Sequence, residues 1–253
     1  ALRPSSLGAY LNLGNALRNK GQLDEAIAEY REAIRIKKDF ALAHSNLGNA
    51  LSDKGQLDEA IAEYRKSIRI KKDDAVVHYI LGNTLRDKRK LDEAIAEYRE
   101  AIRLKPEFAE AHNNLGNALR DKGELDEAIA EYRKSIRIKK DNALVHFNLG
   151  NALAAKGQLD EAIAAWKEAV RLAPKSPGVH NDLAWLLATC PDAKFRDAPW
   201  AVQLAKKAVE LQPKDGGSWN TLGVASYRAG DWKAAIRSLN KSMELRQGGD
   251  AFD

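Results

Sequence analysis

Residues 41–74 read ALAHSNLGNALSDKGQLDEAIAEYRKSIRIKKDD, and this 34-residue stretch decides the fold. Its LDEAI segment, at residues 57–61, recurs along the chain at the same interval: 23–27, 91–95, 125–129 and 159–163. The five histidines keep that interval as well: His44, His78, His112, His146 and His180. A fixed period of about 20–50 residues is typical of stacked repeats and not of a single globular core.

Each repeat reads as two short helices, here named helix A and helix B, joined at a glycine. In residues 41–74 the packing positions of helix A follow three- and four-residue steps: His44, Leu47, Gly48 and Leu51. The apolar positions of helix B do the same: Leu57, Ala60, Ile61, Tyr64 and Ile68. This spacing predicts two amphipathic helices. Gly55 suits the left-handed conformation that ends helix A, and Asp58 and Glu59 suit the positive end of the helix B dipole.

The register defines seven repeats and predicts an all-α fold. The first five repeats are 34 residues long: 7–40, 41–74, 75–108, 109–142 and 143–176. The sixth, 177–215, is longer, and we expect a long A-to-B loop near residues 190–198; the seventh spans 216–249. One hairpin cannot bury its apolar faces alone, so neighbouring hairpins must stack. Gly48 and Ala60 are small because packed helices about 8–10 Å apart must approach closely. The sequence therefore predicts one α-solenoid array over residues 1–253.

The order of residue types within a repeat resembles the tetratricopeptide repeat. In the third repeat the matching residues are His78, Leu81, Gly82, Leu85, Ala94, Tyr98, Ala101 and Pro106. The resemblance implies a right-handed superhelix whose helices A line a concave groove that binds a protein or peptide partner. The chain departs from the family pattern at Arg89, where a turn glycine is expected, and at Lys38, Lys72 and Lys140, which replace the final proline.

Composition excludes several classes of protein. The 253 residues are 44% hydrophobic, which is too apolar for a disordered chain, and no apolar run is long enough to cross a membrane. A single cysteine, Cys190, excludes internal disulfides and four-cysteine zinc sites. Residues 1–20 lack a signal-peptide pattern, so we expect a soluble cytoplasmic protein with no membrane partner.

The net charge of +5 is spread along the chain. Residues 177–253 carry 10 basic and 9 acidic side chains, which leaves 31 and 27 for residues 1–176. A nucleic-acid-binding protein would concentrate basic residues on one face. We therefore expect no nucleic-acid partner.

Asparagines recur on one face of helix A. Counting from the first residue of each repeat, position 9 is asparagine in the first five repeats: Asn15, Asn49, Asn83, Asn117 and Asn151. Position 6 is asparagine in four of them, with Ile80 interrupting the series: Asn12, Asn46, Asn114 and Asn148. Asparagine is a mediocre helix former, and its amide has the donors and the acceptor to hold one peptide unit.

These two series resemble the asparagine ladders of the tetratricopeptide domain of O-linked N-acetylglucosamine transferase, and the resemblance implies backbone clamps for an extended peptide. The alternative is that the amides only join neighbouring helices. For specificity, we expect Tyr79 and Phe147 at position 5 to anchor apolar groups. Arg86 and Arg120 at position 12 would bind acidic side chains, unless they form a mixed solvated rim with the aspartates that follow them.

The sequence favours a protein that is not an enzyme and carries no cofactor or metal. No catalytic arrangement or phosphate-binding loop stands out. The five histidines occupy one position of successive repeats, so they cannot converge on a metal ion. We interpret them as partly buried packing groups, equivalent to Tyr10 and Trp219 in the first and last repeats.

The C-terminal part differs in composition, since all five tryptophans follow residue 165: Trp166, Trp185, Trp200, Trp219 and Trp232. Residues 183–236 resemble the tetratricopeptide tails of large planctomycete proteins, many of which carry a serine/threonine kinase domain. The leading hypothesis is a peptide-binding interaction scaffold. The alternatives are self-association through the last hairpin, which ends at GGDAFD without an obvious capping helix, and a spacer in a larger enzyme.

Overall fold

The computed structural model describes residues 6–247, and within that range the protein is all-α, with fourteen α-helices, one short 3₁₀ turn and no strand. The chain forms two compact units that divide after residue 138. Unit 1 contains α1 (Leu7–Asn19), α2 (Leu23–Ile36), α3 (Ala41–Asp53), α4 (Leu57–Ile70), α5 (Ala75–Asp87), α6 (Leu91–Leu104), α7 (Ala109–Asp121) and α8 (Leu125–Ile138).

Unit 2 contains the remaining helices and the 3₁₀ turn, Ala193–Phe195, which lies between its third and fourth helices. The helices are α9 (Ala143–Ala155), α10 (Leu159–Leu172), α11 (Pro177–Thr189), α12 (Ala198–Leu211), α13 (Gly216–Arg228) and α14 (Trp232–Gln247). Every odd-numbered helix starts at the first position of a predicted repeat and is a helix A; the even-numbered ones are helices B. The prediction of an all-α array of helical hairpins is confirmed, and the single array over residues 1–253 stays a prediction. The GGDAFD segment, 248–253, lies outside the described residues.

The turn between helices A and B needs a left-handed backbone. Gly55 has φ of +80°, and the glycines of the other turns have φ of +76° to +86°. Arg89 takes the same conformation with φ of +60°, and its N–H donates to the Arg86 carbonyl at 2.8 Å. A side chain in this conformation costs about 1–2 kcal/mol. The third repeat therefore keeps the turn and carries local strain at Arg89.

A glycine–aromatic contact holds the two helices together in each of the first five hairpins. A Cβ on Gly48 would lie 2.6 Å from Tyr64 Cε1, closer than any real contact. The same contact recurs down the first five repeats: Gly14 with Tyr30, Gly82 with Tyr98, Gly116 with Tyr132, and Gly150 with Trp166. The tyrosine rings are fully buried. The predicted close approach at Gly48 is therefore confirmed.

Three of the repeated histidines form hydrogen bonds to glutamates that the sequence analysis did not predict. His44 Nδ1 lies 2.6 Å from Glu63 Oε2, and its Nε2 lies 3.0 Å from the carbonyl oxygen of Lys38. The equivalent pairs are His78 with Glu97 and His112 with Glu131, each at 2.6 Å. The signal was present in the sequence, because a glutamate follows each of these histidines by 19 residues. The histidines are therefore buried packing groups that also join helix A to helix B.

Two further properties of residues 6–247 bear on function. No group of three or more histidine, cysteine, aspartate or glutamate side chains is placed to hold a metal ion in this range. None of the helices in it is both long enough and apolar enough to cross a membrane.

Candidate functional site

The asparagines at position 9 are held from behind by helix B. The Tyr64 hydroxyl donates to Asn49 Oδ1 at 2.9 Å. The same bond joins Tyr30 to Asn15, Tyr98 to Asn83, and Tyr132 to Asn117, at 2.7–2.8 Å. In the fifth repeat Trp166 Nε1 donates to Asn151 Oδ1 at 3.0 Å. An indole N–H only donates, so the amide must turn its oxygen toward helix B.

The asparagines at position 6 join neighbouring helices A. Asn46 Nδ2 lies 3.3 Å from Asn15 Oδ1, and Asn114 Nδ2 lies 2.8 Å from Asn83 Oδ1. The alternative that these amides link helices therefore describes Asn46 and Asn114. Other members of the series lie differently: Asn12 is exposed and Asn148 is buried.

The tyrosine bonds use the amide oxygens of position 9 and leave the amide nitrogens available to a ligand. The Oδ1 atoms of Asn15, Asn49, Asn83 and Asn117 all accept a tyrosine hydroxyl, and no acceptor for their Nδ2 atoms lies among residues 6–247. All four side chains are exposed or half-buried. We call these four residues the asparagine row of unit 1. The row presents oriented N–H donors, one from each helix A.

The predicted position 5 anchors are less exposed than the sequence suggested. Tyr79 is half-buried, with its ring centroid 4.9 Å from that of Phe108. Its hydroxyl accepts a hydrogen bond from Asn114 Nδ2 at 3.1 Å. Phe147 in unit 2 is half-buried, and Leu11, at the same position in the first repeat, is buried. Tyr79 therefore packs between two repeats and holds Asn114, instead of standing free as an anchor.

The position 12 arginines divide into two kinds. Arg120 Nη2 pairs with Asp121 Oδ1 at 3.0 Å, and Arg18 Nε pairs with Asp53 Oδ2 at 2.6 Å. These two belong to a mixed rim of the kind considered as the alternative for this position. Arg86 is half-buried and has no ion pair within residues 6–247. Arg86 is therefore the position 12 arginine of unit 1 whose charge remains available to a partner.

Sequence reasoning overlooked two features of the helix A face. Position 2 carries exposed apolar side chains in both units: Leu42, Val76 and Leu144. In the sixth repeat, position 6 is Asp182 and position 9 is Trp185, where most of the preceding repeats carry asparagine. The 34-residue register contained the signal for both, because it assigns every residue of helix A to a position.

Comparison with known proteins identifies the repeat family. The family model described as TPR repeat matches residues 14–55, 48–86, 82–119, 116–157 and 150–188, which together are more than half of the chain. No curated protein sequence matches the chain.

Solved structures give the same result. The crystal structure of MamA protein is 30% identical over 67% of this chain and 92% of that chain, with a TM-score of 0.62. The structure of YrrB, described as a TPR protein with an unusual peptide-binding site, is 25% identical over 67% of this chain and 87% of its own, with a TM-score of 0.59. PilF from Pseudomonas aeruginosa, 21% identical over 84% of this chain and 94% of that chain, has a TM-score of 0.71 and shares the fold. On this evidence the chain belongs to the tetratricopeptide repeat (TPR) family, a family of protein–protein interaction scaffolds.

Proposed function

We propose that the protein is a non-catalytic scaffold that binds an extended peptide segment of a partner along the asparagine row of unit 1. The observation that carries the proposal is the Tyr64 to Asn49 hydrogen bond and its equivalents. Each bond fixes an amide so that its Nδ2 points away from helix B. The row therefore offers donors to the carbonyl oxygens that every peptide backbone carries.

Preorganisation makes this arrangement effective. A free asparagine loses side-chain entropy when it binds, whereas an amide already held by a buried tyrosine loses less. Each new hydrogen bond would contribute about 0.5–1.5 kcal/mol net, so several repeats are needed for useful affinity. Helices about 10 Å apart match about three residues of an extended chain, at about 3.3 Å per residue. One asparagine per repeat would then contact every third peptide unit.

Side chains beside the row would add selectivity. The unpaired charge of Arg86 favours an acidic side chain of the partner. The exposed Leu42 and Val76 at position 2 offer apolar contacts. YrrB, with its described peptide-binding site, supports the same class of ligand for this chain.

The test removes the donors and keeps the tyrosine bonds. Asn49→Asp and Asn83→Asp retain an acceptor oxygen for Tyr64 and Tyr98 but replace the NH₂ group. Random decapeptides displayed on phage are selected on the whole chain, and the affinities of the selected peptides are measured for each variant. We expect the double variant to bind at least about tenfold more weakly.

The control is Asn240→Asp, which makes the charge change of one of the two substitutions at an exposed site on α14. Unchanged affinities in the double variant would contradict the proposal, and so would a selection that yields no peptide.

A second candidate function is self-association through α14. Its face carries exposed apolar side chains: Trp232 (58%), Ile236 (61%) and Met243 (53%). The equivalent of Ile236 in the second repeat, Ile61, is 5% exposed. Light scattering over a range of concentrations tests this candidate, and a strictly monomeric particle at high concentration would exclude it. The roles as a kinase-linked tail or as a spacer in a larger enzyme stay predictions. Determining the reading frame on both sides of residues 1–253 tests them.

A further inference from the structure

The sixth repeat changes the chemistry of the helix A face. Positions 6 and 9 carry amides in most of the first five repeats, but in α11 they are Asp182 and Trp185. Residues three apart on a helix lie on the same side, so the carboxylate and the indole are neighbours. Both belong to unit 2; Trp185 lies at position 9, which the asparagine row occupies in unit 1, and Asp182 lies three residues before it.

Asp182 is a half-buried carboxylate without a cation. No lysine, arginine or histidine nitrogen within residues 6–247 pairs with it. Asp182 Oδ1 accepts a hydrogen bond from Asn181 Nδ2 at 3.3 Å. Burial therefore raises the pKa of the Asp182 carboxyl, with only the Asn181 amide acting in the opposite direction. A carboxylate in this setting is a strong acceptor for a charged donor.

The neighbouring amide adds to the excess of acceptors. Asn181 Oδ1 is inaccessible to solvent and accepts no hydrogen bond in the described part of the chain. Thr221 lies at position 6 of α13, the helix A that packs against α11. Its hydroxyl donates to the Gly217 carbonyl at 3.2 Å and not to Asp182. The two carboxylate oxygens of Asp182 and the Oδ1 atom of Asn181 thus have a single donor group among them, the Asn181 amide. The local electrostatic potential is therefore negative.

Trp185 supplies the second half of the site. Its side chain is 44% exposed, which is unusual for an indole on a packed helix A. The face of an indole attracts cations when they approach within about 6 Å of its centroid. Unit 2 already contains one such contact, because Lys167 Nζ lies 4.8 Å from the centroid of the Trp200 ring. Trp185 has no cation of this kind in residues 6–247.

We infer that Asp182 and Trp185 form a binding site for a lysine or arginine side chain of a partner peptide on the helix A face of unit 2, with the carboxylate accepting its N–H groups and the indole stacking on it. This inference rests on the proposed function. It takes helix A as the face that meets a peptide, and it adds the chemical class of one peptide residue that unit 2 would bind. An acidic side chain is disfavoured by the carboxylate, and an apolar one would leave Asp182 desolvated without a partner.

The experiment uses the whole chain and the same random decapeptides. We expect a class of the peptides selected on the wild-type chain to share a lysine or arginine at one position. For a selected peptide, replacing that residue by norleucine weakens binding about tenfold to the wild-type chain, as does Asp182→Asn with the original peptide. In the double combination the two losses do not add, because they remove the same contact. Trp185→Leu gives a smaller loss.

The controls preserve the site and make matched changes elsewhere in unit 2. Asp141→Asn removes an exposed carboxylate from the loop before α9, and Trp200→Leu removes an indole that Lys167 already covers. Circular dichroism confirms that each variant folds. A selection in which no peptide carries a shared basic position, or norleucine and Asp182→Asn losses that add fully, would overturn the inference while the proposed function stands. A selection that yields no peptide overturns both.

Discussion

The hydroxyl of Tyr64 donates a 2.9 Å hydrogen bond to Oδ1 of Asn49, 15 residues earlier in the chain. Burial raises the pKa of this hydroxyl, so it remains a donor at neutral pH. The ring of the same tyrosine lies against Gly48. One side chain therefore packs the hairpin and orients an amide of the candidate peptide-binding face.

Removing the Tyr64 hydroxyl tests this link. Tyr64→Phe keeps the ring against Gly48 but leaves Asn49 Oδ1 without its donor. We expect the free energy of unfolding, measured with urea, to fall by about 1 kcal/mol, the usual net worth of such a bond. Tyr227→Phe is the control, because Tyr227 is exposed. Equal stability changes in the two variants would contradict a structural role for the bond.

A methyl group at Gly48 should destabilise the hairpin. The new Cβ would lie 2.6 Å from Tyr64 Cε1, so the buried ring must move. We expect Gly48→Ala to cost about 1–3 kcal/mol in urea unfolding, more than the helix propensity it gains. Gly8→Ala in α1 is the matched control, since nothing lies within 4 Å of its added Cβ, and it should be neutral or stabilising. A stabilised Gly48→Ala variant would contradict this prediction, because it would show that the Tyr64 ring moves aside without loss of packing.

Arg89 offers a stabilising substitution. Its φ of +60° is strained for any residue with a Cβ. We expect Arg89→Gly to raise the free energy of unfolding by about 1 kcal/mol, and Gly55→Ala at the equivalent turn to lower it by a similar amount. Urea midpoints measured on both variants check the prediction. A lower midpoint for Arg89→Gly would mean that the arginine side chain contributes more than the strain costs.

The His78–Glu97 pair predicts a dependence of stability on pH. The hydrogen bond to Glu97 raises the pKa of His78 above its ordinary value of 6.5, although burial acts against it. A raised pKa in the folded state means that the stabilisation is complete below the unfolded pKa and is lost as pH rises through the folded pKa. We expect His78→Gln to destabilise the protein more at pH 6 than at pH 9.

Glu97→Gln is the companion variant, because it removes the carboxylate and keeps the histidine. Its stability difference from the wild-type chain should show the same trend between pH 6 and pH 9 in urea unfolding. A difference for His78→Gln that is equal at the two pH values would contradict the ion pair.

Much of the fold was predictable because its determinants are local. The apolar spacing of residues 41–74 predicts helices that the structure places at Ala41–Asp53 and Leu57–Ile70. The turn glycine and the first-turn carboxylates affect the backbone only a few residues away along the chain. The 34-residue period then transfers these assignments to every repeat, which is why even the substituted turn at Arg89 kept its place.

The candidate site was predictable in position only. The register placed Asn46, Asn49 and Asn83 on one face of helix A, but it did not show which atoms of each amide remain available. Arg86 and Arg120 share position 12, yet Arg120 pairs with Asp121 while Arg86 has no ion pair within the described residues. Asp182 and Trp185 occupy the same register positions as the asparagines but have different surroundings.

The sequence by itself therefore determined the repeat, its division into two helices and the face on which the polar residues lie, since periodicity and turn chemistry act over short stretches of chain. Only the tertiary structure decided which amide oxygen accepts the Tyr64 hydroxyl, which histidines form a hydrogen bond with a glutamate and which charges remain unpaired. These outcomes depend on the distance and direction between side chains of different helices. Hydrogen bonds and ion pairs are sensitive to both, whereas a repeating pattern of residue types contains neither.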